Sequence, residues 1–177
     1  MGRSRFKVHE DNRPYFLTCT VVEWIPLFTD PRLAEIVLDS LRFLQKENRL
    51  LLYAYVIMRD HLHLIAAAEN LEQEIHDFKS FTAHEIVRQL KSAGEKELLL
   101  KLQAAKKIHK DDRLHQVWQE GSHFQAIDGD AMMQQKVDYI HHNPVERGYV
   151  NEGHLWKYSS ACNYEGLPGV LEVYKEW

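Results

Sequence analysis

The chain has 177 residues, 45% hydrophobic and 27% charged, the balance of one ordinary globular domain, which excludes a disordered or fibrous chain. Its longest apolar runs, such as Leu50 to Tyr53, fall far short of the ~20 residues of a membrane helix, and no apolar stretch follows the basic Met1 to Lys7 as in a signal peptide. The expectation is a cytoplasmic protein with no membrane partner. Cys19 and Cys162 are far apart and form no CxxC pair, which argues against a cysteine zinc site or a disulfide framework. A net charge of −4 speaks against a purely electrostatic nucleic-acid binder. Basic side chains nevertheless cluster at Arg3, Arg5, Lys7 and Arg13, and again at Lys101, Lys106, Lys107, Lys110 and Arg113. Either group suits local phosphate contacts, or simply a solvated surface.

In chain order, Tyr15 to Glu23 is rich in aromatic and β-branched residues and predicts a strand. Asp30-Pro31 supplies a helix N-cap with proline in the first turn. Leu33, Ile36, Val37, Leu41 and Leu44 then follow at helical spacing to about Lys46. Leu50 to Met58 and His61 to Ala67 predict two strands joined by a turn at Arg59-Asp60. A second helix is expected from about Leu71 to Leu90, a lysine-rich third from Glu95 to Ile108, and short strand-like pieces at Gln116 to Glu120 and Phe124 to Ile127. The last clear helix runs from about Asp130 to His142, with Pro144 expected to end it. Strand, helix, strand, strand, helix, strand is the order of an α+β, ferredoxin-like split βαβ domain: an antiparallel sheet with helices on one face and one extra helix after it. No repeat or linker divides the sequence, so one domain spanning 1–177 is expected.

His61 and His63 are two apart on a predicted strand and share one of its faces, while Leu62 and Leu64 point to the other. Two imidazoles side by side on an open sheet face can ligate one divalent cation. The same alternation is also what any half-buried strand shows. In Gln134 to Val150 (QQKVDYIHHNPVERGYV), Tyr139 and Asn143 are four apart and share a helix face, with His142 nearly on it. Laid across the open face of the sheet, that helix aims a phenol and an amide at the histidine pair. Taken alone, Tyr139 is as well explained as a half-buried aromatic, and Asn143 as a helix-end residue.

Four segments in order, Tyr55 to Ile65 (YVIMRDHLHLI), Phe78 to Thr82 (FKSFT), Val117 to His123 (VWQEGSH) and Tyr139 to Gly148 (YIHHNPVERG), resemble the single-tyrosine transposases of the HUH (His-hydrophobic-His) superfamily. The match is to the branch called REP-associated tyrosine transposases, and Trp156 to Ala161 (WKYSSA) is similar to it as well. The resemblance covers roughly Tyr15 to Tyr164, giving one HUH domain with a core of about 15–150 and an extension of 151–177. It implies a Mg²⁺- or Mn²⁺-dependent attack on single-stranded DNA at hairpin-forming palindromic repeats, by a monomer or homodimer. By motif position it makes His61, His63 and Asn143 metal ligands and Tyr139 the nucleophile, forming a 5′-phosphotyrosine bond and freeing a 3′-hydroxyl. Where the family often carries Pro-Asn before the first histidine, this chain has Arg59-Asp60.

That chemistry is physically coherent. A phenol is a weak acid and needs help to ionise as it attacks, and a cation at the phosphate offsets the added negative charge. Covalent capture conserves the phosphodiester energy, in keeping with the absence of a GxxxxGK[ST] loop. Tyr55 and Trp118 are candidate base-stacking aromatics, although a strand tryptophan is usually core; for His123 and His141, packing is the default. The alternatives are a domesticated DNA-hairpin-binding protein that no longer cuts, a histidine-dependent nucleotide hydrolase, and a structural protein. A histidine-triad hydrolase wants a third histidine where Ile65 stands, and separated His-x-Ser/Thr motifs are absent.

Overall fold

The computed structural model describes residues 12–106 and 114–177. Arg3, Arg5 and Lys7 of the first basic group, and Lys107, Lys110 and Arg113 of the second, lie outside the described residues. Of the others, Arg13 is ion-paired with Asp128 and Lys101 with Glu97.

Strand β1 (Tyr15–Thr20) alternates as its sequence predicts, with Tyr15, Leu17 and Cys19 buried and Phe16, Thr18 and Thr20 half-buried on the opposite face. It stops short of the expected Glu23, because Glu23 and Trp24 take positive φ (50° and 51°) and curl the chain into a 3-10 turn. Asp30 caps α1 (Pro31–Lys46) by accepting the Arg32 N–H at 2.9 Å. The chain then forms β2 (Leu51–Ile57), β3 (His61–Ala67), α2 (Leu71–Ser92), α3 (Lys96–Ala104), β4 (His123–Ala126), α4 (Gly129–Glu146) and the single-turn α5 (Ala161–Tyr164). Helix α3 is shorter than expected, and the tail of the predicted lysine-rich helix lies partly outside the described residues. Val117 to Gln119 adds only a bridge beside the end of β1, with the Val22 N–H donating to the Val117 carbonyl at 2.8 Å.

The four strands form an antiparallel sheet in the order β2-β3-β1-β4, the split βαβ arrangement that the element order predicts. Helices α1 and α2 cover one face. Leu33, Val37, Leu41, Phe78 and Ile86 pack there on Leu17, Leu62, Leu64 and Tyr55. A bulge at Tyr53 shifts the β2 register between Leu52 and Ala54. Leu52 and Tyr55 thereby both join this core, and Tyr53 and Ala54 both face the other way.

The other face is not open. Helix α4 lays Met133, Val137 and Ile140 over Ala54, Val56, Met58 and Ile65, making a second apolar cluster. The histidine pair is therefore not spread on a bare surface: His61 is 9% and His63 6% exposed. Pro144 does not end α4, which continues to Glu146. So near the end of a helix, the missing proline N–H removes one bond rather than a ladder of them. The true stop is Gly148, at φ +70°, in a motif where the Tyr149 N–H reaches the Pro144 carbonyl at 2.9 Å and the Gly148 N–H that of Val145 at 2.8 Å.

Residues beyond α4 seal the free edge of β2. The Ile57 N–H donates to the Tyr158 carbonyl at 2.8 Å, and the Tyr174 N–H to that of Leu52 at 2.8 Å. The Trp156 indole N–H reaches the Ile57 carbonyl at 2.9 Å. An edge so covered cannot template pairing with another chain. Among the described residues no helix is long and apolar enough to cross a membrane.

Leu64 sits wholly buried in the helix-side core, behind the histidine pair. Leu64→Ala should cost about 2–5 kcal/mol of unfolding free energy, read from urea denaturation. A loss below about 1 kcal/mol would contradict this account of the core.

Candidate active site

Cross-strand register builds the site. On the α4 face, His61 lies opposite Thr20, and His63 lies between Val56 of β2 and Thr18 of β1. The two imidazole centroids are 4.8 Å apart. Phe16, next along β1 on the same face, stacks on the His63 ring at 5.4 Å.

Each imidazole is held by its Nδ1. The Thr18 hydroxyl lies 2.8 Å from His63 Nδ1. Asp60 Oδ1 lies 2.5 Å from His61 Nδ1, and an ionised carboxylate can only accept, so that nitrogen donates. In each ring Nε2 is the nitrogen not engaged by these contacts. Where Nδ1 donates, as the His61 contact with Asp60 requires and the Thr18 hydroxyl permits for His63, Nε2 is the one that carries the lone pair, the arrangement outer-shell partners give metal-binding histidines. The Arg59-Asp60 departure thus adds an orienting group rather than a stray charge. Burial, and next to it the neighbouring His61, Arg147 and Lys136, pushes the His63 pKa down to about 3, so this ring is neutral at physiological pH and available as a ligand.

Helix α4 brings in the phenol. The Tyr139 ring stands edge-on to His63 with centroids 5.3 Å apart, and edge-on to Phe16 at 5.8 Å. Tyr139 is 45% exposed, so its hydroxyl is reachable from solvent while its ring is anchored. The helix aims it because Val137 and Ile140, on either side, are buried in the second cluster. One turn earlier, Lys136 places its Nζ over the Phe16 ring, 4.7 Å from the centroid.

Asn143, one turn after Tyr139, is 4% exposed, and its Oδ1 finds no hydrogen-bond partner. A buried carbonyl oxygen without a partner costs free energy unless something outside the chain satisfies it. His142 is exposed to solvent. Among the described residues no cluster of three or more His, Cys, Asp or Glu side chains is placed to hold a metal, so a cation at the histidine pair would need a donor of another kind beside the two imidazoles.

Other sequence-based candidates fall away. Tyr55 is completely buried and its hydroxyl accepts the Leu171 N–H, so it cannot stack on a base. Burial pushes that phenol up to about 12. Trp118 is buried too, its indole N–H donating to Thr82 at 3.0 Å. His141 is a packing residue as expected, 2.8 Å from the Ser160 hydroxyl and against Tyr164, and burial lowers its pKa to about 4. His123 is the exception: it is exposed on β4. Phe16, Thr18 and Lys136 were not singled out from the sequence, and Asp60 was noted there only as part of the turn and of the departure before the first histidine. Only Asp60, adjacent to the first histidine, and Lys136, one turn from the tyrosine, carried a local signal.

No protein-family model matches the sequence, and no curated protein matches it. Among solved structures there are similar chains. A REP-associated tyrosine transposase bound to a REP hairpin superposes with a TM-score of 0.68 at 16% identity, covering 98% of this chain and 93% of the other. A candidate transposase of Deinococcus radiodurans R1 reaches a TM-score of 0.46 at 20% identity, over 80% of this chain and 98% of the other. The first likeness shows that the chain has the REP-transposase fold, from β1 through the residues that seal the edge of β2.

His63 and His141 take up protons in the unfolded chain at about 6.5 but resist them when folded, with pKa values of about 3 and about 4. Their depressed folded values contribute stability in full above pH 6.5 that is lost as pH falls towards 3–4, at up to about 1.4 kcal/mol per pH unit for each ring. Urea unfolding of the metal-free protein at constant ionic strength should show this fall. A midpoint unchanged between neutral and acid pH would contradict it.

Proposed function

We propose that this chain is a REP-associated tyrosine transposase, a metal-dependent enzyme that cleaves and rejoins single-stranded DNA through a 5′-phosphotyrosine intermediate. The observation that carries the reading is the edge-on contact of Tyr139 with His63, from two elements 76 positions apart in one chain. Its support is the set of ordered sequence motifs together with the fold shared with a protein bound to a REP hairpin. By the same reading the DNA partner is a hairpin-forming palindromic repeat, and no second subunit is needed to complete the site.

The chain's own groups fit a divalent cation. His61 and His63 present free Nε2 atoms and Asn143 an unsatisfied buried oxygen, a nitrogen and oxygen donor set compatible with Mn²⁺ and tolerable for Mg²⁺. When bound, the cation would polarise the scissile phosphate and offset its developing charge. Asp60 and Thr18 hold the two imidazoles in the ligating orientation. Phe16 and His63 hold the Tyr139 ring edge-on, so that little orientational freedom is lost as the phenol attacks.

In the reaction, Tyr139 Oη bonds to phosphorus as the bond from phosphorus to the 3′ oxygen breaks. The phenol gives up its proton and the 3′ oxygen takes one, leaving a 3′-hydroxyl. The reverse exchange rejoins a strand, and the energy of the broken ester is kept in the new one.

Tyr139→Phe removes only the exposed hydroxyl and should abolish the protein–DNA adduct while leaving hairpin binding within about twofold of wild type. His63→Ala should lower metal-stimulated nicking by more than about 100-fold, because even outer-shell partners of a metal site are worth 10–100-fold. Denaturing gels of a hairpin oligonucleotide with Mg²⁺ or Mn²⁺ read both. Robust nicking by Tyr139→Phe would place the nucleophile elsewhere, and binding with no adduct from the wild type would favour a module that has lost cutting.

A further inference from the structure

Helix α4 packs its apolar side on β2 and β3 and meets β1 at Phe16, through Tyr139 and Lys136. Leu17 and Phe124 point into the helix-side core, so Phe16, Thr18, His123 and Gln125 project together on the active face. They form two paired rungs, Thr18 opposite His123 and Phe16 opposite Gln125. His123 is exposed, while Thr18, Thr20 and Gln125 are half-buried. The upper rung is one line across the sheet: Val56, His63, Thr18, His123.

With strands ~4.8 Å apart, His123 lies two strands, about 10 Å, from His63, too far to share a cation with it. Its imidazole has no partner among the described residues. The shelf carries no carboxylate, and the Lys136 ammonium sits at its head over Phe16. This is a polar strip with one ammonium at its head, on a chain whose net charge is −4, and through Phe16 it runs up to the Tyr139 ring.

The rim of the shelf is braced. The Lys79 ammonium donates to the carbonyls of Gln119 and Gly121, both at 2.7 Å, and Thr82 accepts from Trp118. These contacts join the 78–82 and 117–123 motifs and fix the turn that delivers His123 to β4. The reaction centre itself uses neither motif.

We propose that this shelf seats the single-stranded DNA adjoining the scissile phosphate, with His123 contacting a neighbouring phosphate and the Gln125 amide a base edge. Polar side chains beside a cation suit a phosphodiester backbone, and an amide can pair with an unstacked base. The inference rests on the proposed DNA-cleaving function.

The test uses the full chain and two synthetic probes, a blunt hairpin oligonucleotide and the same hairpin with a randomised single-stranded flank. Fluorescence anisotropy should show that the wild type prefers the flanked probe. His123→Ala and Gln125→Ala should each weaken that probe about tenfold and leave the blunt one unchanged. His123→Gln, which keeps a donor, should recover part of the loss, a readout that a merely structural role would not give. Adduct formation, scored separately, should need more DNA for half-saturation but keep its rate at saturation. No preference by the wild type, or variants that bind the flanked probe as the wild type does, would overturn the shelf. If flank binding depends on His123 and Gln125 but no adduct ever forms, the shelf stands and the cleavage reading falls.

Discussion

The register of β1 against β3 decides what this surface can do. With Thr18 opposite His63 and Thr20 opposite His61, both imidazoles fall on the α4 face, and Thr18 reaches the Nδ1 of one of them. A slip of one residue would turn both rings into the helix-side core and bring Leu62 and Leu64 out. That register is in turn held by the packing of Leu17, Leu62 and Leu64 under α1 and α2. Core and chemistry are two sides of the same strands.

The second constraint is α4. Its buried positions Met133, Val137 and Ile140 clamp it over β2 and β3, which fixes where Tyr139 and Asn143 stand. The same clamp dries the histidine pair. His63 is thereby neutral over the whole physiological range, and among the described residues no hydrogen bond engages its second nitrogen. Burial carries a cost at low pH, when the unfolded chain takes protons that the folded chain refuses. Water-poor surroundings also strengthen any later interaction with a charged phosphate.

Much of this was legible in the sequence because it depends on short periods. Spacing of two placed His61 with His63, spacing of four placed Tyr139 with Asn143, and the order of elements gave the split βαβ topology. What depends on contacts between strands was not legible. Nothing local to Phe16 or Thr18 announces that β3 will lie beside them, and nothing in Tyr55 or Trp118 announces complete burial. Pro144 misled because its effect depends on how many helical bonds remain beyond it; the true stop, Gly148, needed the positive φ to be recognised. The histidine pair looked exposed because strand alternation reveals a face but not what lies on top of it.

The most direct test of the account is peptide mapping by mass spectrometry after the protein is incubated with a single-stranded hairpin and Mn²⁺. The account predicts a nucleotide phosphate esterified to the peptide that contains Tyr139, attached through the DNA 5′ end. An adduct on any other residue, or cleaved DNA with no covalent protein, would contradict it.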